Sequence, residues 1–308
     1  MNRLRVERST PLVQLQDGGR FGVCHLGVTQ GGAADWLSMG WANWLLGNDL
    51  NATVVEITLG GFAVLIEHDS CLAVTGANLG ARLDGEPLHP WRSFAVRAGQ
   101  RLQFDTPKQG IRAYLAAPGG FDCLPTLGSV STVSREGFGG LHGDGQALLS
   151  GDTLSWRGSP VAARQVPERD IPALSLQQPL ELILGAQAGD FSGQALFDLF
   201  NSHWQLDTRA DRMGMRLLGP ALHYTGEPLI SEGIPLGAIQ VPPDGQPIVL
   251  LNDRQTIGGY PRVGALTPLA LARLAQAQPG DSLRFKPVVQ YAAERDYVQL
   301  LKRWRDAT

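Results

Sequence analysis

Lysine is nearly missing from this 308-residue chain: Lys108, Lys286 and Lys302 are the only ones, and the other basic residues are arginines. No lysine lies near the Gly-rich stretches, so a phosphate loop of the form G-x-x-x-x-G-K-[ST] is excluded. The dinucleotide fingerprint G-x-G-x-x-G is also missing, and no βαβ alternation supports one. Cysteine is scarce. Cys24, Cys71 and Cys123 are odd in number and widely spaced, with no C-x-x-C, which excludes a disulfide framework and fits a reducing compartment. The histidines form neither H-x-H nor H-E-x-x-H, so no metal site is expected. No apolar run approaches the ~20 residues of a membrane span. The opening MNRLRVERST lacks the apolar core of a signal peptide, and the expected location is the cytoplasm. A net charge of -3 argues against nucleic acid as the main partner.

What is present is apolar, Gly-rich and Pro-rich. A hydrophobic content of 43% against 18% charged residues makes the chain globular. Short β-prone runs recur at Leu4–Val6, Leu12–Leu15, Val54–Leu59, Phe62–Glu67, Cys71–Gly76, Phe94–Arg97, Gly99–Phe104 and Ile111–Ala116. Turn residues separate them, which predicts an all-β barrel or sandwich. Helices are expected over Trp36–Leu46 (N-cap Asp35, stop at Gly47), Gly193–Trp204, Thr267 to Gln276 and Tyr291–Trp304. The fold class is therefore mainly β with a few helices. The expected domains are a β-rich one over 1–158 and a β-barrel one over 179–308. Residues 159–178, rich in Pro, Arg, Gln and Ala, read as the linker between them.

Four polar stretches stand out. Gln16–Gly22 holds Asp17 and Arg20 in a Gly-rich turn, where they either close a hairpin as an ion pair or contact a ligand. The Gly-rich loop from Pro118 to Gly145 carries Ser129, Ser131 and Thr132, and its backbone amides form a possible anion nest. In Asp211–Leu217, strand alternation would set Arg212 and Arg216 on one face, as a clamp for an anion or as a solvated surface. The last, Gly237–Pro261, reads strand, Pro-Asp-Gly turn, buried strand, and then Asn252, Asp253, Arg254, Gln255 and Thr256 before Gly258-Gly259-Tyr260-Pro261. Five polar side chains at the mouth of a buried strand form either a solvated loop or a site, because burying them costs free energy unless each is partnered.

These stretches, with Gly32-Ala33…Asp35, Gly47-Asn48, Glu56-Ile57-Thr58, Thr75-Gly76-Ala77, Gly119-Gly120 and Ile239-Gln240-Val241-Pro242, resemble the KipA family of biotin-dependent carboxyltransferase-like proteins. The match runs in order along almost the whole chain. It implies cyclophilin-like barrels for both β-rich domains. It also implies a role as the C component of an ATP-dependent 5-oxoprolinase, converting 5-oxo-L-proline to L-glutamate with a KipI-type B component and an A component. ATP would be a substrate of that complex, with Mg²⁺ as its candidate companion. Two other roles follow from the same resemblance: a regulator that binds a KipI-type kinase inhibitor, or a carboxyltransferase component of a urea-carboxylase-like enzyme. The latter would need a separate carrier, because none of the three lysines sits in a biotinylation context and no biotin is attached to this chain.

The resemblance places catalytic roles on Asp253, Arg216, Arg212 and Gln240. Substrate contacts would fall on Gln255, Thr256, Tyr260, Asp17, Arg20, Asp35, Ser131 and Thr132. Two arginines common in the family are replaced here, by Val130 and Gln146, which weakens an anion role for the Gly-rich loop.

Overall fold

The computed structural model describes residues 1–306 and divides them into two compact units. The first comprises Met1–Phe21 and Gly31–Leu174; the second comprises Gly22–Gln30 and the chain from Ser175 onward. Residues 22–30, which the sequence places in the N-terminal domain, thus belong to the second unit.

In the first unit two antiparallel sheets enclose one core. One sheet runs Thr153–Trp156, Asn2–Arg8, Phe62–Ile66, Arg101–Phe104, Arg82–Leu83, Glu86–Pro87. The other runs Val13–Gln16, Val54–Thr58, Gln109–Ala116, Ser70–Asn78, Arg92–Val96. Alternation decides what lies inside: Leu4, Val6, Val64, Leu102 and Trp156 from the first sheet meet Leu15, Val55, Ile57, Val74 and Leu115 from the second. Helix α1 (Trp36–Leu46) packs on the strands Ser70–Asn78, Gln109–Ala116 and Arg92–Val96. It is apolar nearly all round and buried from Leu37 to Leu46, as such a helix must be. Asp35 caps it, accepting from Ser38 N at 3.0 Å. Gly47, at φ 69°, ends it in the left-handed conformation that glycine adopts without strain. Asn43 ties the helix to the following loop through the carbonyls of Leu50 and Ala52.

The expected linker is bound at both of its ends. Val166 is fully buried, its N–H donating to Trp91 O, and Arg164 bridges to Ser93 through both of its backbone groups. In the second unit, the Arg273 guanidinium collects the carbonyls of Ser175, Gln178 and Pro179.

The second unit is built on one eight-stranded sheet, in the order Ser282–Leu283, Trp204–Leu206, Gly214–Leu218, Ile248–Leu250, Ala238–Gln240, Arg262–Leu266, Leu180–Leu184, Phe285–Pro287. Its two edge strands are separated in the chain by Arg284 alone, so the sheet curls into a nearly closed barrel. Leu182, Leu206, Met215, Leu217, Ile239, Val249 and Val263 fill the inside. Helix α2 spans Gly193–Asn201, shorter than the sequence suggests: Ser202 ends it, and Trp204 turns into a strand to enter the barrel core. Helix α3 (Pro268–Leu274) starts from the Thr267 cap, and α4 covers Gln290–Asp306. A two-stranded sheet, Glu232–Gly233 with Ile257–Gly258, lies beside the barrel's outer face, where Ile234 packs on Ala238 and Leu250.

Candidate functional site

The predicted residues fall into two groups, one in each unit. In the first unit the Gly-rich nest already holds an anion, and it is the chain's own. The Asp17 carboxylate accepts from Gly19 N, Val130 N, Ser129 Oγ and Ser131 Oγ at 2.6–2.8 Å. Arg20, fully buried, donates to the carbonyls of Thr126, Ser129 and Ser131 and stacks 4.5 Å from the Phe138 ring centroid. Thr132 gives both its N–H and its hydroxyl to Leu15 O. Gly139 has to be glycine here: its φ is +70°, and a Cβ would collide with Ser131 O. Asp17 and Arg20 therefore staple a loop more than a hundred residues away instead of closing a local hairpin. Ser131 and Thr132 are turned inward, and Asp35 is occupied as a helix cap. All five of these expected substrate contacts have internal partners.

The same unit buries a network that the sequence showed only as an acid inside a strand. Glu56 is 2% exposed, and its Oε2 accepts from Tyr114 Oη and Ala34 N, each at 2.8 Å. Tyr114 Oη accepts in turn from Asp35 N at 2.8 Å, and Arg112 Nε stands 3.9 Å from Glu56. Burial pushes the Tyr114 phenol well up, and the neighbouring Glu56 charge adds to it. Glu56, Arg112 and Tyr114 alternate with the core residues Val55, Ile57, Ala113 and Leu115, and so lie on the opposite face of their sheet from the apolar core.

In the second unit, the polar cluster after strand Ile248–Leu250 is not a solvated loop. Asn252, Asp253 and Arg254 are 6–8% exposed. Arg212 grips Asp253 with two parallel bonds, Nε to Oδ2 at 2.9 Å and Nη2 to Oδ1 at 3.1 Å. The backbone repeats the pairing, Asp253 N donating to Arg212 O at 2.9 Å. The expected two-arginine clamp is not formed. Strand pairing begins at Gly214, because the Asp211 carboxylate turns the preceding residues by accepting from Met213 N and Gly214 N. Arg212 thus belongs to the turn, while Arg216, on the strand, reaches Asp244 at 3.5 Å.

Register builds a row across the outer face of four strands: Arg216 opposite Ile248, Ile248 opposite Gln240, Gln240 opposite Arg262. Gln240 is buried, its Nε2 3.5 Å from Tyr260 O. Gly258 lies over it: a Cβ there would come within 2.9 Å of Gln240 Nε2 and 3.7 Å of Gln255 Nε2. Two primary amides therefore converge beneath a glycine, with the half-exposed Tyr260 beside them. Thr256 joins the outer layer through its carbonyl, which accepts from Ile234 N.

Sequence reasoning named Arg254 within the polar cluster without giving it a role, and passed over Gln30. The Arg254 guanidinium donates to Ile234 O, Leu251 O and Gln30 Oε1. Desolvation lowers its pKa. The signal for Arg254 was its place directly after a buried strand. Gln30, 224 positions away, carried none. Among the described residues no three His, Cys, Asp or Glu side chains converge into a group that could hold a metal ion. Among the same residues no helix is long and apolar enough to cross a membrane.

Residues 26–287 match the family described as carboxyltransferase domain, subdomain A and B. The chain is 38% identical to the C subunit of the 5-oxoprolinase of Escherichia coli (strain K12) over 283 residues, covering 92% of this chain and 90% of that one. It superposes on the crystal structure of TTHA0988 with a TM-score of 0.82 and 36% identity, spanning 93% of this chain but 56% of that chain. On the K. lactis urea amidolyase structure the TM-score is 0.92 at 25% identity, over 99% of this chain and 20% of that one.

Proposed function

Because the chain belongs to the carboxyltransferase-domain family of subdomains A and B, we propose that it is the C component of an ATP-dependent 5-oxoprolinase. The observation that carries this is the 38% identity to a protein of that name, extending over 90% of the relative. Its partners are then a KipI-type B component and an A component, and ATP is consumed by the assembly in the cytoplasm. In the chemistry proposed, the lactam carbonyl oxygen takes the γ-phosphoryl group and ADP leaves. Water adds to the activated carbon and the C–N bond breaks, leaving γ-glutamyl phosphate, and a second water hydrolyses that acyl phosphate to glutamate and inorganic phosphate.

The chain's part is electrostatic and positional. Gln240 and Gln255 orient the lactam through their amides, with Tyr260 and Thr256 at the rim. Arg216 faces the charge that develops on transfer. Asp253, gripped by Arg212, acts as a fixed negative wall rather than as a proton acceptor, and no step is routed through a metal.

The test is reconstitution with the A and B components, measuring ATP-dependent glutamate release from 5-oxoproline. A complex that assembles but releases no glutamate refutes the proposal. A second reading, a carboxyltransferase component served by a separate biotin carrier, draws on the 0.92 TM-score against urea amidolyase. Turnover that requires bicarbonate and a biotinylated carrier would favour it.

A further inference from the structure

Arg254 is a buried cation beside the candidate site. It is only 6% exposed, and its guanidinium stays protonated in any protein environment. Its hydrogen-bond partners are two backbone carbonyls and one side-chain amide, all neutral, and the Cys24 thiol lies close enough to act on it electrostatically. Two of the three bonds, to Leu251 O and Gln30 Oε1, are 3.3 Å long, well beyond the roughly 2.7–2.9 Å usual for a guanidinium facing an anion. A buried cation facing only neutral oxygens is costly, and an anionic oxygen would offset that cost.

The segment that supplies Gln30 is exposed in its first part and buried from Thr29, which is 2% exposed. Its 3₁₀ turn, Cys24–Leu26, buries none of its residues, and the bonds of that turn are internal. Leu26 is 64% exposed, and Gly22, Gly27, Gly31 and Gly32 all have positive φ. The amide of Gln30 therefore sits on Arg254 at the end of a glycine-punctuated strap.

We infer that Arg254 is the carboxylate anchor for the substrate, and that Gln30 is a neutral latch which the substrate displaces. This rests on the 5-oxoprolinase reading, whose substrate carries a carboxylate beside its lactam. The exchange conserves the number of hydrogen bonds and replaces a neutral acceptor with a charged one, so it runs downhill without any bond being made or broken covalently. Asn252 and Asp253 precede Arg254 in the chain, and the Asp253 carboxylate is paired with Arg212 instead of with Arg254.

The experiment uses the reconstituted complex with this chain carrying an environment-sensitive fluorophore on Cys24, the exposed thiol of the strap. Arg254→Gln should raise the KM for 5-oxoproline about 10- to 150-fold, the loss expected for hydrogen bonds to a charged group, and leave the KM for ATP within about twofold. Gln30→Ala, which removes the latch, should lower the KM for 5-oxoproline about 2- to 10-fold. The fluorophore should respond saturably to 5-oxoproline and not to 2-pyrrolidinone, the lactam without a carboxylate. An unchanged KM for 5-oxoproline in Arg254→Gln overturns the inference. So does a raised KM for ATP instead, which would mark a phosphate contact. Should Arg254→Gln fail to fold, Gln30→Ala and the fluorophore decide: a raised KM, or equal responses to the two lactams, overturns it. A wild-type complex without glutamate release counts against the proposed function, and the fluorophore titration then tests the anchor by itself.

Discussion

Cutting the Arg212–Asp253 pair tests whether the polar cluster is a built site or a surface. The two side chains are 15% and 8% exposed. Opposite charges at about 3 Å interact by roughly 5 kcal/mol at an effective dielectric near 20, and desolvation offsets most of that. The net value of the intact pair is therefore small, but removing one partner leaves the other buried without its bidentate charge partner. Such truncations cost about 3–5 kcal/mol, and the partial exposure of Arg212 puts this one near 3. Asp253→Ala should then lower the melting temperature by about 6–12 °C, at roughly 2–4 °C per kcal/mol for a unit of this size. Arg212→Ala should do nearly the same. The double variant should cost no more than either single change, a coupling of about 3 kcal/mol. Thermal melts of the four proteins, followed by calorimetry, provide the cycle. Additive losses, or an Asp253→Ala protein melting within about 2 °C of the parent, would refute the account and return Asp253 to the role of a titrating acid or base. The result also governs activity data, since lost turnover in Asp253→Ala is not evidence of catalysis if the cluster has collapsed.

Two further predictions concern other buried or paired groups. Tyr114→Phe removes one donor to Glu56 and one acceptor from Asp35 N, and should cost about 2–3 kcal/mol in denaturant unfolding, more than a surface Tyr→Phe change. Hydrogen bonds from Arg209 hold the Asp207 carboxyl well below the usual carboxylate range. A depressed folded pKa contributes stability that is present above the unfolded value near ~4 and lost as pH falls through the folded one. Asp207→Asn should therefore be less stable than the parent at pH 7, and the gap should close as the pH is lowered below about 4. A gap that is constant with pH would contradict the sign.

The β-rich architecture was legible because its signals are local. Asp35 and Gly47 bracket α1 as their chemistry dictates, and the Pro-Asp-Gly turn closes with Gly245 N on Pro242 O. The overrun of α2 has a physical reason. Leu196, Phe200 and Trp204 fit helical spacing, but Trp204 is drawn into the barrel core, and tertiary packing overrides periodicity. The site was less legible because burial is a long-range property. Asp17 attracts the attention due to a lone acid in a Gly-rich turn, yet its partners lie at Ser129–Ser131, and nothing near it in sequence announces them. Arg212 and Arg216 look equivalent by alternation. They diverge because the Asp211 turn ends the strand between them.

The crossing of Gly22–Gln30 into the second unit sets an order on synthesis. The strap leaves the ribosome long before the barrel strand that precedes Arg254, while the chain on both sides of it is committed to the first unit. The barrel cannot complete its native contacts by closing on itself. It must recruit a loop already anchored elsewhere, a contact of high sequence separation and correspondingly slow to form. A fragment beginning at Ser175 would have every strand of the barrel and still lack the amide that covers Arg254. Expressed alone, it would present that guanidinium to water, as a barrel whose last piece was made first.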